Sequence, residues 1–137
     1  MRVLVLLAAP LLLAAAAAPG PKGTSVGVYS QAQAESGARV YAVRCAMCHG
    51  NRLQGSVETP PLTGKFMANW AGSSMAGLFD YVSHAMPQHA PGSVSPADNL
   101  NLLAFLLQQN GAPAGKLPLP DQAEQLRAIR IDPARRP

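Results

Sequence analysis

A chain of 137 residues with a formal charge of +4 at pH 7 has room for one domain and its appendages. Only 13% of the residues are charged, and the basic ones are scattered, which excludes the clustered basic face of a nucleic-acid binder. With just two cysteines, three positions apart, a disulfide-stapled scaffold is excluded as well, because so short a loop would stabilise little.

Residues 1–18, "MRVLVLLAAPLLLAAAAA", place a single Arg2 before an apolar run that ends in small residues in Ala-x-Ala order. This is the layout of a secretory signal peptide, with cleavage expected after Ala16 or Ala17. The run from Val3 to Ala18 falls short of the ~20 residues that span a bilayer, so no stable membrane span is expected after removal. The expected location is the periplasm, or a membrane tether if the segment is not cut. With Arg2 gone, ten basic side chains face seven acidic ones, a net charge of +3.

Residues 19–29 lack periodicity and are rich in Gly, Pro and Ser, which predicts a flexible leader. A helix is expected from Ser30, a cap residue with Gln33 three places on, and its pattern continues through "SQAQAESGARVYAVRCAMCH". Gly37 in its interior costs about 1 kcal/mol against alanine, which makes sense if a second helix must approach there. Tyr41 lies one turn further on the same face.

Four glycines and the Pro60-Pro61 pair in residues 50–72 predict a long loop, and long loops commonly bind something. A second helix follows Ser73-Ser74, with Met75, Leu78, Phe79 and Val82 in one apolar stripe. Met86 is in phase with that stripe, but Pro87 pushes it into extended backbone just past the helix end. Ser95-Pro96-Ala97-Asp98 opens a third helix, rich in leucine, that Asn110-Gly111 closes. Residues 112–137 are expected to form a Pro-rich extension: an extended linker, one short helix capped by Asp121 and Glu124, and a frayed basic end. Residues 30–111 then form the domain. Three helices and long loops make a thin core, which a large apolar cofactor would complete.

The segment "RCAMCHG" carries the chemistry, because Cys45, Cys48 and His49 stand together. A zinc site needs about four ligands, and no second pair follows; His84 and His89 are far downstream. A thioredoxin-like redox pair belongs after a strand, whereas a helix pattern leads into this motif. Covalent haem attachment accounts for all three residues: each thiol can bond one vinyl group, and the next residue offers imidazole to the iron.

With these residues in place, the sequence resembles the class I c-type cytochromes, small exported bacterial mono-haem proteins, over about residues 30–111. Gly37-x-x-x-Tyr41, "CAMCH", "TPPLTG", "AMP" and "LLAFLLQ" occur in the family's order. The resemblance implies an all-α fold of three main helices around one haem c, bound through Cys45 and Cys48. It implies His49 as one axial ligand and Met86 as the other, with His84, His89 or an open site as the alternatives. It further implies that the Pro60 carbonyl accepts from the His49 ring, an interaction that raises ligand basicity. Leu62 would lie on the haem face, and Trp70 could donate its indole N–H to a propionate. Arg39, Arg44, Arg52 and Lys65 could rim the exposed edge. The implied function is one-electron transfer between redox partner proteins, an upstream dehydrogenase and a downstream oxidase or cytochrome. The alternative is a haem subunit docked in such a complex through residues 112–137. A weaker similarity links the tail to cytochromes serving quinoprotein dehydrogenases.

Overall fold

A computed structural model describes residues 22–133; the signal-peptide reading and the last four residues lie outside the described residues. Three long helices dominate: α1 (Gln31–Arg44), α4 (Met75–Ala85) and α5 (Pro96–Gln109). Shorter pieces lie between and after them, namely α2 (Ala46–His49), α3 (Lys65–Trp70) and α6 (Ala123–Arg127). Two residues at each end, β1 (Lys22–Gly23) and β2 (Ile129–Arg130), pair in parallel. No helix among the described residues is long and apolar enough to cross a membrane.

The long helices begin where their cap residues dictate. The hydroxyls of Ser30, Ser74 and Ser95 accept from the backbone N–H groups of Gln33, Gly77 and Asp98, each satisfying a donor that the helix cannot. Pro96 fills the first position of α5, and Gly111 follows its end at φ +82°. Met75, Leu78 and Val82 of the α4 stripe are buried, while Phe79 is half-buried. Leucines on several sides of α5 are also buried: Leu100, Leu102, Leu103, Leu106 and Leu107. Such a wide apolar face needs more than one neighbour, and α5 packs against both α1 and α4.

The crossing of α1 and α5 is the closest helix contact. A Cβ at Gly37 would collide with the Asn101 carbonyl and stand 2.9 Å from Phe105 Cβ. One turn on, the rings of Tyr41 and Phe105 meet with centroids 5.3 Å apart, tilted by 45°.

Several expectations fail, each because a distant contact wins over local pattern. The leader is not flexible over residues 22–29: Thr24 and Tyr29 are buried, and the Tyr29 hydroxyl donates to the Ala112 carbonyl at 2.7 Å. The basic end from residue 130 is not frayed where it is described, and Ile129 lies outside the short helix expected to hold it, which ends at Arg127. Ile129 and Ile131 are buried, and Ile131 exchanges backbone hydrogen bonds with Gly72 and Ser73 at 2.8 and 2.9 Å. The stretch from Ala112 is extended but fixed to the body: Gly115 N–H donates to Tyr29, and Leu119 is buried. Asp121 does not cap α6, whose N-cap is Gln122 without a side-chain bond; burial of Leu126 secures that helix instead. Residues 50–72 are not loop throughout, since Lys65–Trp70 forms α3, with Met67 buried.

Candidate functional site

The helix expected to run through the cysteines breaks at Cys45. Its backbone leaves helical geometry (φ −125°, ψ −34°), although its N–H still reaches the Tyr41 carbonyl at 2.9 Å. One further turn follows, in which the Cys45 carbonyl accepts from Cys48 N–H at 3.1 Å and from His49 N–H at 2.9 Å. Residues three apart on such a turn share a face, so both thiols stand on one side of α2. Both are free; Cys45 is half-buried and Cys48 exposed.

Gly50, at φ +79°, ends the turn, and its carbonyl accepts from the Tyr41 hydroxyl at 2.6 Å. The chain then folds back, with Gly55 N–H on the His49 carbonyl at 2.8 Å. Leu53 holds this return in place. It is buried at φ +59°, a conformation uncommon for a bulky residue, and its carbonyl accepts from Leu62 N–H at 2.9 Å.

His49 is buried, and its Nδ1 lies 3.0 Å from the Pro60 carbonyl oxygen. A carbonyl can only accept, so Nδ1 carries a proton, and in the neutral ring it is Nε2 that offers a lone pair. The ring is thereby fixed in the tautomer and orientation of a metal ligand. Burial pushes the Cys45 thiol up to about 11; the Arg44 charge opposes this and Cys48 adds to it. A redox-active pair needs the opposite, a thiol lowered toward neutrality.

Leu62 is half-buried against the core. Its carbonyl accepts from Asn110 Nδ2 at 2.9 Å, and Asn110 Oδ1 accepts from Gly64 N–H at 3.1 Å. By sequence, Asn110 marks only the end of α5. Its further grip on the loop 46 and 48 residues away had no local signal.

Met86 stands where the sequence places it, directly after α4, in extended backbone (φ −123°, ψ 151°) and half-buried on the core. The other methionines among the described residues are either buried or highly exposed. Met67 and Met75 are buried, and Met67 lies at the seam near Thr24, Asn110 and Ala112. Met47 is 83% exposed on the attachment turn. His84 and His89 are exposed, and His84 Nδ1 sits 2.8 Å from the carbonyl of Asp80 on its own helix. Trp70, at the end of α3, is half-buried with its ring 5.5 Å from that of Tyr81. Of the four cations expected at a rim, all are exposed, but Arg39 donates to Ser36 Oγ and Arg44 donates to Ser93.

The donor set fits a covalently held haem: two thiols on one face, an oriented imidazole and a thioether. Cys45, Leu62, Phe66, Trp70, Phe79 and Met86 lie half-buried around the core, apolar surface that a flat macrocycle could cover.

Comparison with known proteins agrees with this chemistry. Residues 32–106 match a family model described as cytochrome C oxidase, cbb3-type, subunit III. The thiosulfate dehydrogenase of Stutzerimonas stutzeri (strain A1501) is 35% identical over 78 residues, 51% of this chain. The chain spans only 25% of that relative's length. The crystal structure of the sulfane dehydrogenase SoxCD from Paracoccus pantotrophus superposes with a TM-score of 0.47 at 23% identity, over 66% of this chain and 54% of that one. A family match across more than half the chain, on the segment that holds Cys45-x-x-Cys48-His49, leads to one conclusion: the chain belongs to the cytochrome c family, whose domains carry haem c and transfer electrons.

Proposed function

We propose that this protein is an exported, periplasmic one-electron carrier with a single haem c, covalently attached at Cys45 and Cys48 and ligated by His49 and Met86. The observation that carries the reading is the 3.0 Å contact between His49 Nδ1 and the Pro60 carbonyl. It leaves Nε2 free on the residue that directly follows the second thiol.

When bound, the haem supplies the electron-accepting centre; the chain's residues hold it and set its properties. The two thiols anchor the macrocycle edge, and the Pro60 carbonyl, by accepting from Nδ1–H, makes the imidazole a stronger donor. Met86 would supply a thioether, which would favour ferrous iron and raise the potential relative to a second imidazole. With His49 and Met86 both holding the iron, no position would be left for a substrate, and the protein would carry electrons without transforming a small molecule. Leu62 would pack on the macrocycle and Trp70 would donate to a propionate. Its partners are an upstream dehydrogenase and a downstream oxidase or cytochrome. The similarity to thiosulfate dehydrogenase lies within a quarter of that enzyme, so it supports electron transfer here and assigns no thiosulfate chemistry.

A second reading, favoured by the match to a subunit III family model, is a haem subunit docked in a complex. Leu119, Leu126, Ile129 and Ile131 are buried in the chain's own core, so a strap within residues 112–137 would dock through exposed residues such as Leu117.

The test is expression in cells with active haem-maturation machinery. A red protein that keeps its haem on a denaturing gel is expected, and colourless protein would end the proposal. Met86→Ala should change the visible spectrum of both oxidation states and let carbon monoxide bind the ferrous form rapidly. An unchanged spectrum would remove Met86 from the scheme.

A further inference from the structure

We infer that Arg44 is a positioning residue for Met86, tying the segment that carries it to the end of α1, directly before the turn that bears the cysteines. The inference rests on the reading of Met86 as an axial ligand. Residues 86–95 connect α4 to α5 with little internal structure: two backbone bonds, Ala90 N–H to Pro87 and Ser93 N–H to Ala90, at 2.9 and 3.2 Å. A segment so lightly bonded does not fix a thioether by itself.

Two side chains from outside hold its far end. Arg44, the residue immediately before Cys45, donates from one guanidinium nitrogen to the Ser93 carbonyl at 2.9 Å and to Ser93 Oγ at 3.1 Å. Asn99, in the first turns of α5 and 2% exposed, donates from Nδ2 to the Val94 carbonyl at 3.2 Å and to Ser83 Oγ of α4 at 3.1 Å. Adjacent residues, Ser93 and Val94, are therefore bound to α1 on one side and to α4 and α5 on the other.

The Asn99 amide makes these ties at a cost. Its Oδ1 is buried with no hydrogen-bond partner among the described residues. A buried acceptor left unmatched destabilises, and an apolar residue of similar size would avoid the loss. The retained donor ties are what the amide contributes. Arg44 contributes geometry of a different kind: it couples Ser93 to the last residue of α1, directly before Cys45. Charge-assisted bonds of this type are stronger than neutral ones, though exposure weakens them.

The experiment uses the matured, haem-loaded protein. Four variants are compared with the parent: Arg44→Ala, Ser93→Ala, Arg39→Ala and Met86→Ala. The readouts are the spectral feature of the ferric protein that Met86→Ala abolishes, followed against denaturant and temperature, the rate of carbon monoxide binding to the ferrous form, and hydrogen exchange at Ala90 and Ser93. Arg44→Ala should bind carbon monoxide about tenfold faster, lose the Met86-dependent feature before global unfolding, and exchange those amides faster. Ser93→Ala should show a smaller effect, because it keeps the carbonyl bond. Arg39→Ala removes the same charge from the same helix and should behave as the parent. Far-UV circular dichroism checks folding; Arg44 is exposed, so its removal leaves the core intact. If Arg44→Ala matches the parent within twofold while Met86→Ala does not, the positioning role is overturned and the ligand reading survives. If Met86→Ala itself leaves the spectrum unchanged, both fall.

Discussion

Gly37 of α1 lies so close beneath the Asn101 carbonyl of α5 that no Cβ fits between them. This contact lets α1 and α5 cross tightly enough for Tyr41 to reach Phe105 and, through its hydroxyl, the Gly50 carbonyl at the end of the attachment turn. The crossing of two helices thus reaches the thiol-bearing turn through one tyrosine.

The first prediction concerns that crossing. By helix propensity alone, Gly37→Ala should stabilise by about 1 kcal/mol. The collision is with backbone, however, so the helices must separate, and overpacking of this kind costs about 1–3 kcal/mol or more. Net destabilisation of up to about 2 kcal/mol is expected in urea unfolding. A variant more stable than the parent would mean that the helices do not cross at this distance.

The C-terminal segment provides the second. Ile131 is 1% exposed and its backbone bonds to Gly72 and Ser73. Ile131→Ala should cost about 2–5 kcal/mol, the range for truncating a buried aliphatic side chain. A loss below about 0.5 kcal/mol would return residues 112–137 to the status of a loose appendage.

Asn110 yields the third. Its side chain bonds Leu62, Gly64 and Leu106, so Asn110→Ala leaves a loop carbonyl and a loop N–H without their partners. A loss of about 1–2 kcal/mol is expected in denaturant unfolding. Exchange of the Gly64 amide should also accelerate, whereas a residue that merely terminates α5 would leave it unaffected.

The last is a dependence on pH. Burial pushes Tyr41 from an ordinary value of 10.0 up to about 12, with the Cys45 charge adding and a backbone hydrogen bond opposing; burial raises Tyr29 too. A group raised in the folded state gives its full stabilisation below its unfolded value. That stabilisation is lost as pH climbs through the folded value. In the matured protein, where Cys45 would carry no free thiol, stability should therefore be level up to about pH 10 and fall between about pH 10 and 12. Replacing both tyrosines with phenylalanine should flatten that limb, and a limb unchanged in the double variant would assign it to other groups.

Features that depend on neighbours a few residues apart can be read from the chain alone. Three serine caps, the α4 stripe, the leucine-rich α5, the Gly37 approach and the extended backbone at Met86 were all legible, because capping, helical periodicity and proline sterics act locally. Cys45, Cys48 and His49 were legible for the same reason, as their chemistry lies in their spacing. Only the tertiary structure decided the parallel pairing of residue 22 with residue 129, the burial of Ile131 and the hold of Asn110 on the Leu62 loop. Arg44 on Ser93 and Asn99 on Val94 belong to the same class. Long-range hydrogen bonds need only one donor and one acceptor brought together by the fold. They leave no repeat or period in the chain, so a two-residue strand or a single amide clamp becomes visible only once the helices have packed.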